Sequence, residues 1–222
     1  MTKQKKDRRL SRKVLIVCVS LLVVAACSPA APPREEAAVQ EFDWPLSGLR
    51  PLDDLLEYKP FHLNEPVLLS GIRPEDDKPI NAAAVLGKKT TDRDWVFEDG
   101  PAAVWVSGID GPDAGEPIVL AARLRERNGA LSVEASLILK IGQPGRTVLR
   151  PGEHVYFDLP GNKSVTCPIE LDGGAVAVVH HNEFEYVVLK ALEPGTAKLR
   201  IFSKWWNAPE KKIMSEHELA VE

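Results

Sequence analysis

The chain has 222 residues and a formal charge of −4, yet seven of its 28 basic residues precede position 14, opposed there only by Asp7. From position 27 onward the formal charge is −10, which argues against nucleic acid as a partner, because phosphate binding rests on positive charge. Cysteines at 18, 27 and 167 are too few and too scattered for a disulfide framework.

The basic start is followed by an apolar run over residues 14–26. A helix of that length spans about 20 Å, short of the roughly 30 Å hydrocarbon core of a bilayer. The layout predicts a secretory signal over residues 1–26. Its last residues, Val24-Ala25-Ala26, lead into Cys27 and resemble the lipobox of bacterial lipoproteins. That resemblance implies a diacylglycerol on the Cys27 thiol, cleavage just before it and acylation of the new amino group. Ser28 in the next position implies, by similarity to enterobacterial lipoproteins, sorting to the outer membrane. The expectation is a protein of the bacterial cell envelope, attached to the membrane through its N-terminal lipid. Two or three acyl chains make release very slow. An ordinary signal peptide with Cys27 incidental, or a twin-arginine route through Arg8-Arg9, are the alternatives.

Residues 27–45 hold Pro29, Pro32, Pro33 and several alanines, and read as a flexible tether. Leu49, Leu52, Leu55 and Leu56 predict one short amphipathic helix over residues 46–58. Strands are expected over 66–73 and 80–86, followed by a hairpin joining 94–97 to 102–107. The clearest hairpin joins 118–125 to 131–139 through Asn128-Gly129, a pair suited to a type I′ turn. Leu131, Val133, Ala135, Leu137 and Leu139 are expected on one buried face. Gln143-Pro144-Gly145 marks a break. Seven short strands then follow, over 146–149, 154–159, 164–171, 175–180, 184–192, 196–206 and 212–221. The predicted fold is all-β, with a small barrel domain over 46–141 and a β-sandwich over 142–222.

Pro66-Val67-Leu68-Leu69-Ser70-Gly71, Trp95-Val96-Phe97-Glu98-Asp99-Gly100 and Gly115-Glu116-Pro117-Ile118-Val119-Leu120 are similar to the strand and turn patterns of small OB-fold domains of secreted bacterial proteins. The span 108–115 is too short for the helix usual in that fold, so an Ig-like first domain is the alternative. Arg150-Pro151-Gly152-Glu153 and Ala191-Leu192-Glu193-Pro194-Gly195-Thr196-Ala197 resemble bacterial immunoglobulin-like modules. The same half is similar to chagasin-type cysteine-protease inhibitors, with Lys204-Trp205-Trp206-Asn207-Ala208-Pro209 where that family carries an aromatic loop. The other loop of that family has no match; Asn162-Lys163-Ser164 is the nearest stretch.

No Gly-x-Ser-x-Gly, His-Glu-x-x-His, phosphate loop or dinucleotide fingerprint occurs. The reading is therefore not an enzyme, with no cofactor and no metal. Adjacent strand residues face opposite ways, so His180 and His181 do not suit one ion. Cys167 alternates with Val165 and Ile169 and reads as a small buried hydrophobe. Trp95 and Trp105 read as barrel core. Trp205, Trp206 and Asn162 are the candidate binding residues, with one of the two tryptophans expected inside and the other outside. The expected function is a lipid-anchored binding or assembly module for an envelope protein or glycan. The alternatives are a chagasin-like protease inhibitor and an OB-type oligosaccharide binder.

Overall fold

A computed structural model describes residues 42–127 and 129–222. The expected signal, Cys27 and Asn128 of the expected hairpin turn lie outside the described residues. No described helix is long and apolar enough to cross a membrane.

Among the described residues two short helices come first, α1 (Leu52–Glu57) and α2 (Lys59–His62). The helix expected from residue 46 begins later because Pro51 stands at its N-cap and disfavours helical backbone at the residue before it. Pro51 has no side-chain acceptor, and the Asp99 carboxylate takes the Leu52 N–H at 2.8 Å. A turn of the following hairpin thus caps the first helix.

Six strands follow: β1 (Pro66–Ile72), β2 (Val85–Leu86), β3 (Trp95–Asp99), β4 (Ala102–Ser107), β5 (Pro117–Arg127) and β6 (Ala130–Ile141). Five of them close a barrel. β1 pairs with β5 and β3, β3 with β4, β4 with β6 in parallel, and β6 with β5. The first strand beside the second and fourth, with the third beside the fifth, is the OB arrangement. Closure occurs at Ile72 opposite Glu98. There a Cβ on Gly71 would stand 2.3 Å from the Glu98 carbonyl oxygen, so only glycine lets the strands meet. Leu52 and Leu55 of α1 join Val67, Leu69, Phe97, Val104 and Leu120 in the barrel core.

The strand expected over 80–86 shrinks to Val85–Leu86. Glu98 is the reason: its carboxylate accepts the N–H groups of Ile80, Asn81 and Ala82, which are then not free for a ladder. Trp105 is a second correction. Val104 and Val106 face the barrel core, whereas Trp105 is half-buried outside it under the Lys89 ammonium. Trp95 is in the core, as expected.

The third correction lies in β6. Ala121 faces Leu137 and Ala122 faces Ala135, so Ser136 is an extra residue. A one-residue bulge inverts the alternation beyond it. Val133 and Ala135 fill the barrel, while Leu137 and Leu139 face outward.

Beyond the break lie β7 (Gly145–Leu149), β8 (His154–Asp158), β9 (Val165–Thr166), β10 (Ile169–Asp172), β11 (Val176–Asn182), β12 (Tyr186–Ala191), β13 (Gly195–Trp205) and β14 (Lys212–Val221). The strand expected over 164–171 is divided at Pro168, which has no N–H to donate. One sheet runs β10-β13-β14-β7 and faces β8, β12 and β11 across a second core of Leu149, Val155, Val187, Leu199 and Leu219. β8 pairs in parallel with β6, so one nine-stranded sheet passes from the barrel into the sandwich. Leu68, Val119, Leu137 and Leu139 from the barrel meet Tyr156, Tyr186 and Val188 from the sandwich in a third core.

Residues 42–50 strap this seam. Phe42 is buried there, edge-on to Trp44, and Trp44 stacks on His180 at 5.4 Å. Tyr186 donates its hydroxyl to the Pro45 carbonyl at 2.6 Å, and the Arg50 N–H donates to the Leu68 carbonyl at 2.9 Å. The end of the segment read as a tether is therefore packed against both halves.

Candidate functional site

Three loops meet at one end of the sandwich, past the C-terminal ends of β8, β11 and β13. The first is shaped by Asn162, whose side-chain oxygen accepts the N–H groups of Ser164 and Val165 at 2.9 and 3.2 Å. This Asx turn delivers β9 to β13, with Val165 opposite Trp205 and Thr166 opposite Lys204. The Trp206 N–H then donates to the Ser164 carbonyl at 3.1 Å. The loops of Asn162 and Trp205, about forty positions apart in the sequence, are one knit surface.

The β11–β12 turn is the third member. The Cys167 N–H donates to the Glu183 carbonyl at 2.6 Å, and the Leu159 N–H to the Glu185 carbonyl at 2.7 Å. Gly161 lies flat beneath Phe184: a Cβ there would come within 2.3 Å of the Phe184 carbonyl oxygen. Asn182 ties the strap to the same end, donating its amide to the Leu46 carbonyl. Nearly all of these bonds involve backbone, so the rim is held in shape before any partner arrives.

Both tryptophans stand outside, Trp205 57% and Trp206 77% exposed. By strand alternation Trp205 falls on the side of the core residue Ile201. However, β13 runs four residues beyond Ile201, past the last layer of the sandwich core, so that side faces solvent. Trp206 enters the turn closed by the Ala208 N–H on the Trp205 carbonyl at 3.0 Å. Ile213, Met214 and Phe184 are also exposed, with Ile213 opposite Phe202 and so on the other face of the hairpin from Trp205. Lys211 lies 4.0 Å from the centre of the Phe202 ring and pairs with Glu170.

Cys167 is fully buried, and burial pushes its thiol pKa up, away from reactivity. His180 packs against Trp44 and Tyr186, while His181 meets the Cys167 carbonyl at 3.0 Å; the two rings serve different faces. His217 is held by the Gln143 carbonyl and the Ser215 hydroxyl. Among the described residues no three His, Cys, Asp or Glu side chains converge as metal ligands. A hollow of about 430 Å³ at the barrel, lined by Leu56, Lys59, Leu86, Lys88 and Leu131, has no aromatic wall for a sugar ring.

The sequence reading did not find Phe42, Trp44 or Phe184. The first two sit at the end of a Pro- and Ala-rich stretch and were its only aromatic signal.

The sequence matches no protein family and no curated protein. Among solved structures, the cysteine protease inhibitor EhICP2 from Entamoeba histolytica aligns with 37% of this chain and 95% of its own. The identity is 11% and the TM-score 0.32. Amebosin aligns with 37% of this chain and 97% of its own, at 12% identity and a TM-score of 0.24.

Proposed function

We propose that this chain is a non-catalytic binding module of the bacterial envelope, anchored through lipid on Cys27, that receives another envelope component on the rim around Trp205 and Trp206. The observation that carries this reading is the pair of exposed tryptophans on a rim fixed by hydrogen bonds between its own loops. Tryptophan dominates binding hot spots, and a preformed loop loses little conformational entropy on association. A photo-reactive residue at Asn207 should crosslink a partner in whole cells, and Trp205→Ala with Trp206→Ala should remove the crosslink. An unchanged pattern in the double variant would sink the reading. The anchor has its own test. Cys27→Ser should release the protein from membranes, and the mature N-terminus should carry acyl mass.

A second reading, a cysteine-protease inhibitor, is favoured by one observation: the Asn162 and Trp205 loops are joined through β9 and β13. Titration of papain-like proteases decides it. Full activity in micromolar protein removes it.

A further inference from the structure

We infer that the seam between barrel and sandwich is an acid-opened joint, in which protonation of His154 parts β8 from β6 and lets the two halves move apart on the strap. The inference concerns how the halves are coupled and stands apart from what the rim binds.

Position is the first argument. Among the described residues one ladder joins barrel to sandwich, and it is short: Leu139, Lys140 and Ile141 of β6 beside His154, Val155 and Tyr156 of β8. The pairing is parallel, the less stable kind per residue. His154 stands in its first pair, with Leu139 on one side and Lys190 of β12 on the other. Five antiparallel pairs hold β8 to β12, and Val155 and Phe157 belong to the sandwich core. A parting at β8 therefore falls on the β6 side, where it opens a path from His154 to water.

Burial is the second argument. His154 is 4% exposed, and its Nε2 is sealed from water with no hydrogen-bond partner. A proton added to the ring brings a positive charge into this site with no acceptor on Nε2. The neighbouring groups offer no relief. Lys190 stands opposite on β12, with Ala177 of β11 behind it. Lys140 of β6 is tied to Glu153 at 3.0 Å, and Val119 of β5 lies behind Leu139. Along β8, Tyr156 donates its hydroxyl to Asp158 at 3.2 Å. His180 packs on Trp44 of the strap and on Tyr186.

The sign follows from these contacts. Burial first, then the Lys190 ammonium, lowers the ring pKa from 6.5 to about 4. The closed seam keeps the ring neutral, and a ring that reaches water binds its proton at the ordinary value. Opening thus takes up a proton as pH falls from about 6.5 to 4, and its equilibrium constant should grow about 20-fold between pH 7 and 5. The strap bonds Leu68 of the barrel and Tyr186 of the sandwich, so it limits how far the opened joint swings.

The test is hydrogen exchange on residues 28–222. Amides of the β6–β8 ladder, corrected for intrinsic rates, should lose about 20-fold in protection between pH 7 and 5. In low urea their exchange should stay flat while that of β3 and β13 climbs, because the joint opens without unfolding either core. His154→Leu should remove most of the pH dependence. Lys190→Met should reduce it, since the closed seam then tolerates the proton better. The imidazole itself, followed by NMR, should titrate near pH 4. An imidazole titrating near 6.5, an undiminished loss of protection in His154→Leu, or ladder amides that follow urea as steeply as β3 and β13 each overturns the inference. Should His154→Leu fail to fold, the imidazole titration and Lys190→Met still decide.

Discussion

Two carboxylates organise the long connection between β1 and β3. Glu98 is almost fully buried and collects three backbone N–H groups from residues 80–82. Asp94 receives both the hydroxyls and the N–H groups of Thr90 and Thr91, the hydroxyls at 2.6 Å. Burial alone would raise the Asp94 pKa. The four bonds outweigh it and lower the value from 3.8 to about 2. Glu98 is lowered too, its backbone bonds outweighing burial. Groups with lowered folded values stabilise fully above their unfolded values, and that contribution is lost as pH falls through the folded ones. Asp94→Asn should therefore cost about 2 kcal/mol at pH 7, measured by urea midpoint, and the gap from wild type should close between pH 4 and 2. His154 acts in a higher window. Burial, then Lys190, lowers its pKa from 6.5 to about 4, and its Nε2 has no partner. The unfolded chain binds the proton first, so stability is lost as pH falls from about 6.5 to 4. His154→Leu should reduce the stability difference between pH 7 and 4.5 by on the order of 2–3 kcal/mol; an unchanged pH slope would contradict this. Little of this was legible in advance. A strand pattern shows which residues are apolar, and gives no sign that a carboxylate on one strand will claim the amides of a distant loop.

At the scale of elements, alternation was a good guide wherever one face met water. The long strands β5 and β6, the hairpin of β3 and β4, and the order of β11 to β14 follow from it. Phase was harder. The bulge at Ser136 lies in Ala135-Ser136-Leu137, with no glycine to announce it, yet it turns Leu137 and Leu139 out of the barrel. Trp105 was misplaced for a related reason: apolar residues stand on both sides of β4, so composition could not choose the inner face. The Asn162 and Trp205 loops were both noticed, but their pairing is long-range and only the fold brings them together. Glycine at the barrel seam is a firmer matter. Gly71→Val must push β1 from β3 at the closing pair, at a cost of about 3 kcal/mol, lowering the melting temperature by roughly 10 °C. Calorimetry checks it, and a shift under about 2 °C would show that the strands part without cost.

For the whole molecule, the expected break at Gln143-Pro144-Gly145 separates two cores, and β6 joins them. Half of that strand faces the barrel and half faces the seam, while β8 extends its sheet into the sandwich. Barrel and sandwich should therefore unfold together. Calorimetric and van't Hoff enthalpies of residues 42–222 should agree, and two resolved transitions would contradict the shared seam.

The strap over that seam has a mechanical consequence. Residues 42–50 hold the barrel through Leu68 and the sandwich through Tyr186, Asn182 and Glu185. A pull applied at Phe42 is met first by its own burial at the seam, the Trp44–His180 stack and a few hydrogen bonds, and only later by the barrel or sandwich core. The strap is thus a fuse: under load it should peel away at low force, giving slack while leaving the barrel, the sandwich and the tryptophan rim intact.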